Sequence, residues 1–230
     1  MTAGIFMAAA DNQFCGAAGM PAAAGPAAPL VLASASPRRA ELMAAAGYSF
    51  SVMASRQAEP ARRPASVPVR VWPASLAVHK AQAVAARLKH PAMVVGADTI
   101  VVLDRRIINK ARTRGHAREI LRRLSGRRHE VITGVAIVCG EVCRFGSAVA
   151  VCRMKKMSDR WLERYLDSDL WRGKAGAYGI QDGPSHGGGG DPVVELLAGE
   201  WSTVVGLPLE LLNRELAAVQ EELKHQEKHS

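Results

Sequence analysis

The chain has 230 residues, a length that suits one domain or two lobes around a single cleft. Its composition, 48% hydrophobic and 22% charged, excludes a wholly disordered polymer, a collagen-like repeat and a polytopic membrane protein. The formal net charge of +9 indicates a polyanionic partner, which could be nucleic acid, an anionic membrane surface or a phosphorylated small molecule.

The N-terminal segment differs from the rest of the chain. Residues 1–29 carry one charged side chain, Asp11, and are rich in Ala, Gly and Pro. They contain neither the basic residues nor the long apolar run of a signal or transit peptide, so they predict a disordered tail or a start codon upstream of the real one. We expect the folded domain over 30–224 and a frayed tail over 225–230.

The four cysteines argue for a reducing compartment. They form no C-x-x-C pair, and Cys139 and Cys152 lie in apolar, strand-like runs where buried thiols are expected. With no export signal and no membrane span evident, the sequence predicts a cytoplasmic protein.

The first half of the chain alternates strand and helix signals. Leu30 opens an apolar run typical of a buried strand, and Ser36 with Pro37 predicts the start of a helix that ends at Gly47. A loop rich in Pro and Arg over 56–73 precedes a helix over 74–88. A strand then follows from Met93 and continues after Asp98 to a polar turn at Asp104 and Arg105.

The second half predicts a long hairpin between helices. Residues 117–124 fit a short amphipathic helix, and β-rich runs over 130–138 and 142–152 flank the turn residues Gly140 and Glu141. Ser158 can cap a helix that ends at Leu166, and a last helix opens after Pro208 and ends near Leu223. Strands, helices and long hairpins together predict an α/β or α+β fold with a mixed sheet.

A phosphate-binding pattern lies at the start of the first helix. The run from Ser34 to Arg39, Ser-Ala-Ser-Pro-Arg-Arg, combines hydroxyls and two guanidinium groups with the unpaired N–H groups of a helix N-terminus. Such a combination favours an anionic ligand. The alternative is an ordinary helix cap followed by two solvated arginines.

A candidate acidic centre follows the next apolar strand. Asp98 is expected at the exit of that strand, at the sheet edge, where it could hold Mg²⁺ or orient a water molecule. The alternative is a turn aspartate that caps its neighbours. Glu59, Lys80 and Lys110 matter only if they converge on Asp98, since each alone would be a surface charge.

A glycine-rich segment supplies a candidate for base recognition. In the run from Gly173 to Gln181, Gly-Lys-Ala-Gly-Ala-Tyr-Gly-Ile-Gln, the glycines permit a close backbone approach to a ligand. The amide of Gln181 offers a donor and an acceptor that complement the N3–H and O4 edge of uracil or thymine. A tight turn entering a strand is the alternative.

Five sequence runs together carry a family resemblance. LASASPRRAEL, VVGADTIVVLD, LRRLSGRRHEVITGVAIV, GKAGAYGIQ and STVVGLPLELL occur in this order between Leu30 and Leu216. The chain therefore resembles the Maf family of nucleoside triphosphate pyrophosphatases. The resemblance implies a two-lobed α/β fold of the Maf/Ham1 kind, with a mixed twisted sheet, flanking helices and a nucleotide cleft between the lobes. Many family members form homodimers, so a homodimer is possible here.

The same resemblance implies an activity. The AGAYGIQ form is similar to the branch that hydrolyses dTTP and UTP to the nucleoside monophosphate and pyrophosphate, a metal-dependent house-cleaning reaction that uses Mg²⁺ or Mn²⁺. Asp98 would be the proton acceptor and, with Glu59, would bind the metal. The substrate-binding residues would be Ser34, Arg38, Arg39, Lys80, Thr99, Lys110 and Gln181.

Several readings stay open beside this one. The chain could prefer 7-methyl-GTP or another modified nucleotide, or it could be a non-catalytic nucleotide-binding regulator of septation. Four positions depart from the family pattern: Ala58 replaces an Asp, Asn109 a Gly, Ala111 a Pro, and Asp182 a Gly. Only 5% of residues are aromatic and the Arg pairs lack interleaved Phe or Tyr, which argues against nucleic-acid binding.

Overall fold

A mixed β-sheet forms the centre of the structure. The computed structural model describes residues 28–56, 60, 62–182 and 193–228. The strands in these ranges are β1 (Leu30–Leu32), β2 (Ser51–Val52), β3 (Met93–Leu103), β4 (Arg106–Ile108), β5 (Arg128–Cys139), β6 (Val142–Met154) and β7 (Val194–Ala198). The helices are α1 (Pro37–Ala45), α2 (Trp72–Ala85), α3 (Arg114–Leu124), α4 (Asp159–Asp167), α5 (Trp201–Val205) and α6 (Leu209–Glu227).

The strand order combines a parallel and an antiparallel part. Among the described residues the order is β2-β1-β3-β5-β6-β7, with β4 paired to the outer part of β3. Strand β1 runs parallel to both β2 and β3, whereas the β3–β5, β5–β6 and β6–β7 pairs are antiparallel. The predicted α/β fold with a mixed sheet and flanking helices is therefore confirmed.

The position of Asp98 differs from the sequence prediction. Asp98 lies inside β3, opposite Gly134 of β5, and not at the exit of a strand. Strand β1 covers only the first part of β3, since its pairing ends with Leu32 beside Val95 and one further hydrogen bond from Ala33 N to Val95 O. The chain then turns into α1. Asp98 consequently lies on rigid backbone between the end of β1 and the start of the β4 pairing, where no strand of the described residues flanks β3 on that side.

Two large apolar clusters pack α1, α3, α4 and α6 on the sheet. In one, α3 and α4 pack side chains such as Ile120, Leu121 and Tyr165 against the outer part of β3. In the other, α1 and α6 pack side chains such as Met43 and Leu212 beside β1 and the part of the β5–β6 hairpin nearest its turn. The long strands β3, β5 and β6 connect the two halves, consistent with the two-lobed arrangement that the resemblance implies.

Helix α2 lies unusually close to the sheet. A Cβ atom built on Gly96 would lie 2.1 Å from the carbonyl oxygen of Ala77, and one built on Gly134 would lie 2.1 Å from the backbone nitrogen of Ala74. Real Cβ atoms do not approach backbone so closely, so only glycine permits this packing. The two glycines thereby determine how near α2 comes to β3 and β5.

Most predicted elements are present, with shifted ends. Helix α2 begins at Trp72, two residues early, and α3 begins at Arg114, where Thr113 Oγ1 accepts a hydrogen bond from His116 N at 3.1 Å. Helix α6 continues to Glu227, whereas its end was expected near Leu223. The sequence patterns did not predict β2, which has two residues, or β7 and α5, which have five residues each.

Some predictions fall outside the described residues. These concern the N-terminal tail up to residue 27 and Glu59. Cys139 and Cys152 are buried as expected, and Cys143 is exposed. In the part of the chain that the structure describes, no helix combines the length and apolar character needed to cross a bilayer.

Candidate active site

A buried carboxylate and a lysine form the centre of the candidate site. Asp98 in β3 is 4% exposed, and its Oδ1 lies 2.5 Å from Nζ of Lys80 in α2. The Ala-rich sequence of α2 gives no reason to expect this, but the close packing of α2 on Gly96 and Gly134 brings Lys80 over β3. The structure therefore brings Lys80 to Asp98, a convergence that the local sequence patterns left open.

The start of α1 forms one wall of the site. Ser36 is the N-cap, with extended backbone at φ −77° and ψ 116°, and Pro37 occupies the first turn. Ser34 Oγ accepts hydrogen bonds from Ser36 N at 3.2 Å and from Arg39 Nη1 at 3.1 Å. The Ser36 side chain makes no capping hydrogen bond, so the N-terminus of α1 retains N–H groups that could bind an anion.

Arg39 connects three segments of the chain. Its guanidinium donates to Ser34 Oγ, to Thr99 Oγ1 at 3.2 Å and to the carbonyl oxygen of Gly206 at 2.8 Å. Arg39 thus ties α1 to β3 and to the turn after α5. Arg38, by contrast, makes no hydrogen bond to the described part of the chain, so its guanidinium is available to a ligand.

Thr133 is a site residue that the sequence patterns did not reveal. Its Oγ1 lies 3.0 Å from Thr99 Oγ1 and donates to the carbonyl oxygen of Thr203 at 2.7 Å. The two threonines are direct partners in the β3/β5 register and extend the hydrogen-bond network from Arg39 into the sheet. A polar residue inside an apolar strand pattern was the available signal, and the structure shows Thr133 to be fully buried.

Three adjoining cavities form one cleft around these residues, and Lys110 lines all three. The largest, about 510 Å³, borders Asp98 and has the size of a small-ligand pocket. A second lies between the start of α1 and Lys80. The third contains Arg38, Arg39, Thr99 and Gln181.

The loop from Gly173 to Asp182 completes the cleft. A short 3₁₀ turn at Ala175–Ala177 brings the exposed Gln181 to the cavity that Arg38 also lines. Lys174 in the same loop forms a buried ion pair with Asp182, which was noted from the sequence only as a departure from the family. The sequence patterns placed the Asp182 carboxylate beside Gln181 but did not predict its ion pair with Lys174.

A buried histidine lies behind this cavity. His129 Nε2 is 2.6 Å from the hydroxyl of Tyr178, which lines the cavity, and the two rings meet edge to face. Burial lowers the pKa of His129 to about 4. The histidine is therefore neutral at physiological pH and serves the packing of Tyr178.

Eight of the nine predicted site residues lie around the cleft, and Glu59 is outside the described residues. Residues 28–56, 62–182 and 193–228 contain no group of three His, Cys, Asp or Glu side chains that could hold a metal ion. Asp98 is the one carboxylate among the described residues that line the three cavities. This fits Mg²⁺, which commonly uses one or two carboxylates together with substrate phosphates and water.

Fold and site together define an α/β protein with a cation-lined cleft for a phosphorylated ligand and a carboxylate at its floor. Residues 29–219 match the family described as "Maf-like protein", and the chain belongs to this family.

Similar proteins share most of this chain. The "dTTP/UTP pyrophosphatase" of Cereibacter sphaeroides is 41% identical over 180 residues, covering 78% of this chain and 89% of the relative. That of Hahella chejuensis is 41% identical over 182 residues, with 78% and 87% covered. That of Vibrio cholerae is 39% identical over 180 residues, with 78% and 92% covered.

Proposed function

We propose that this protein hydrolyses nucleoside triphosphates, with dTTP and UTP as preferred substrates, to the nucleoside monophosphate and pyrophosphate. The observation that carries the proposal is the buried Asp98–Lys80 pair, which lies beside cavities lined by Arg38 and Lys110. A general base and several cations in one cleft are what the attack of water on a polyanion requires. The names of the relatives support the choice of dTTP and UTP.

Asp98 acts as the general base in this mechanism. It accepts a proton from a water molecule whose oxygen forms a bond to the α-phosphorus. The bond between that phosphorus and the oxygen bridging to the β-phosphorus breaks, and pyrophosphate leaves. Lys80, 2.5 Å from Asp98 Oδ1, orients the carboxylate and offsets negative charge as the phosphates approach.

Cations on the cleft walls bind the triphosphate. Arg38 and Lys110 contact the phosphate oxygens directly, because both line the cavity beside the start of α1. Arg39 contributes positive charge, and its hydrogen bonds hold Ser34 and Thr99 in place. The N–H groups at the start of α1 add further donors.

A divalent cation, Mg²⁺ or Mn²⁺, is proposed as the cofactor, with Asp98 and Glu59 as its protein ligands. When bound, it would neutralise phosphate charge and so reduce the electrostatic barrier to attack. Support comes from the single cleft carboxylate of the described residues, a donor type that Mg²⁺ prefers. The part played by Glu59 stays a prediction.

Base selection is assigned to Gln181 and Thr99, with Arg38 beside them. All three line one cavity, and the Gln181 amide can donate to O4 and accept from N3–H of uracil or thymine. Guanine derivatives present a different pattern of hydrogen-bond donors and acceptors on that edge, so they should bind less well.

Homodimer formation and a cytoplasmic location also remain predictions.

The decisive experiment is a substrate panel. The full chain is incubated with dTTP, UTP and 7-methyl-GTP in the presence of Mg²⁺ or Mn²⁺, and pyrophosphate and orthophosphate are assayed separately. We expect pyrophosphate from dTTP and UTP, and a loss of at least about 100-fold in kcat for Asp98→Asn. Asp104→Asn is the matched control, because Asp104 is exposed and pairs with Arg127 outside the cleft.

Other outcomes would overturn the proposal in defined ways. Orthophosphate as the first product would contradict cleavage at the α-phosphorus. A clear preference for 7-methyl-GTP would reassign the substrate, and nucleotide binding without turnover would favour a regulator. If Asp98→Asn and Asp104→Asn had equal rates, Asp98 would not be the base.

A further inference from the structure

A buried ion pair closes the loop that carries Gln181. Lys174 Nζ lies 2.5 Å from Asp182 Oδ1 and also contacts Oδ2, and the two residues are only 7% and 8% exposed. The same carboxylate accepts hydrogen bonds from the Tyr165 hydroxyl at 2.7 Å and from the Gly179 N–H at 2.9 Å. Asp182 therefore connects α4, the start of the loop and its end.

The backbone of the loop packs directly against this pair. A Cβ atom built on Gly179 would lie 2.9 Å from both Asp182 oxygens and from Lys174 Nζ. On the other side, Gly176 has a φ of +68°, and a Cβ there would lie 2.9 Å from Val101 Cγ2. The path of the chain toward Gln181 is thus confined between the sheet and the ion pair.

Asp182 also compensates positive charge beside the cleft. Burial lowers the pKa of Lys174, Asp182 opposes this shift, and the positive charge of Arg38 adds to it. Without Asp182, an ammonium group would be buried near the arginine proposed to bind phosphate. With Asp182 present, its carboxylate balances the charge of the Lys174 ammonium group, and Arg38 remains the cation that faces the ligand.

We infer that Asp182 is a positioning residue for base recognition, which holds the backbone from Gly179 to Gln181 in its binding shape through Lys174 and Tyr165. This inference rests on the proposed function, since it assumes that Gln181 contacts the base. It distinguishes the two parts of the substrate: the base subsite depends on the loop shape that Asp182 holds, whereas the phosphate donors at the start of α1 keep their backbone geometry without Asp182.

The test compares a nucleotide with a ligand that has no base. KM and kcat for dTTP and UTP, and the inhibition constant of inorganic tripolyphosphate, are measured for the wild type and for Asp182→Asn. We expect KM to rise about tenfold with kcat within about threefold of wild type, and the tripolyphosphate constant not to rise, because the uncompensated Lys174 adds positive charge near Arg38. Asp182→Glu, which keeps the charge, should recover part of the loss.

Asp169→Asn is the matched control. Asp169 lies just before the same loop and forms an exposed pair with Arg172 at 2.9 Å. Its positive φ of 58° suits Asn, so the backbone should not change. This variant should leave KM and the tripolyphosphate constant at wild-type values.

A second variant covers the case in which Asp182→Asn does not fold. Lys174→Gln combined with Asp182→Asn removes both charges, so no unpaired ammonium stays buried, and the same selective rise in KM is expected. Calorimetric binding of dTMP and UMP against tripolyphosphate gives the same comparison without turnover.

The inference is wrong if KM does not change, or if the nucleotide and tripolyphosphate constants rise by the same factor. Failure of the proposed function would be seen separately, as absence of pyrophosphate release by the wild type. In that case the binding measurements still decide whether Asp182 acts on the base or on the phosphates.

Discussion

Lys80 Nζ in α2 lies 2.5 Å from Asp98 Oδ1 in β3, at the floor of the cleft. The contact exists because Gly96 and Gly134 allow α2 to approach the sheet backbone without side chains between them. The distance between the two members of the candidate catalytic pair therefore depends on how closely α2 packs on the sheet.

Replacing Lys80 with Met should reduce both stability and rate. The Asp98 side chain is only 5% exposed, so its carboxylate would be left buried without a partner. Loss of one member of a buried pair typically costs about 3 to 5 kcal/mol in the free energy of unfolding. Urea unfolding measures the stability, and pyrophosphate release should fall at least about 100-fold.

The double variant Lys80→Met/Asp98→Asn separates the two effects. It leaves no buried unpaired charge, so it should be more stable than Lys80→Met alone and still inactive. Equal instability of the single and double variants would mean that the pair is not electrostatically coupled.

Gly134→Ala should push α2 away from the sheet. The added Cβ would meet Pro73 and Ala74 backbone atoms at 2.1 to 2.5 Å, and these atoms cannot move without the helix. We expect a loss of about 1 to 3 kcal/mol in the free energy of unfolding and a large fall in kcat, because Lys80 moves with α2. Denaturant unfolding and steady-state kinetics check both.

Gly115→Ala is the control for this substitution. Gly115 lies in the first turn of α3, and the nearest atom to its Cβ would be Thr113 Oγ1 at 3.9 Å. The change should stabilise α3 slightly or have no effect, and should leave kcat unchanged. If both variants behaved alike, the close approach of α2 would not explain the result.

Arg39→Lys should affect mainly stability, whereas Arg38→Lys should affect mainly substrate binding. A lysine at 39 cannot make the three directed hydrogen bonds to Ser34, Thr99 and Gly206, so Arg39→Lys should lower the melting temperature. Arg38→Lys breaks no hydrogen bond of the described chain and should instead raise KM several-fold. Thermal unfolding and kinetics of both variants make the comparison, and a reversed pattern would contradict the roles given to them.

Acid should destabilise the protein through His129. Its pKa is about 4 when folded and about 6.5 when unfolded, so the unfolded state binds more protons between these values. The free energy of unfolding should therefore fall as the pH falls from about 6.5 to about 4, by up to about 1.4 kcal/mol per pH unit. Above this window the contribution is constant.

His129→Gln isolates the histidine from other acid-sensitive groups. The amide can still bond to the Tyr178 hydroxyl but does not titrate. Urea unfolding at several pH values should give a shallower dependence for the variant over the same window. Parallel curves for the two proteins would show that His129 stays unprotonated, or titrates equally, in both states.

Much of the fold follows from local signals in the sequence. Ser158 caps α4 by accepting a hydrogen bond from Trp161 N at 3.2 Å, and Gly140 with its φ of 56° makes the hairpin turn, as their residue types predict. The five-residue elements β7 and α5 were missed because so few residues show no clear hydrophobic period.

The sequence by itself determined the residue types of the site: arginines at a helix start, a carboxylate in an apolar strand and an amide after a glycine-rich run. Only the tertiary structure decided their geometry. Asp98 lies within β3 because the pairing with β5 continues through it, and it faces the cleft beyond the end of the short β1; Lys80 meets it because two glycines admit α2. Asp182 forms an ion pair with Lys174 because the loop folds back on itself. Such relationships depend on distances between segments far apart in the chain, which no local pattern encodes.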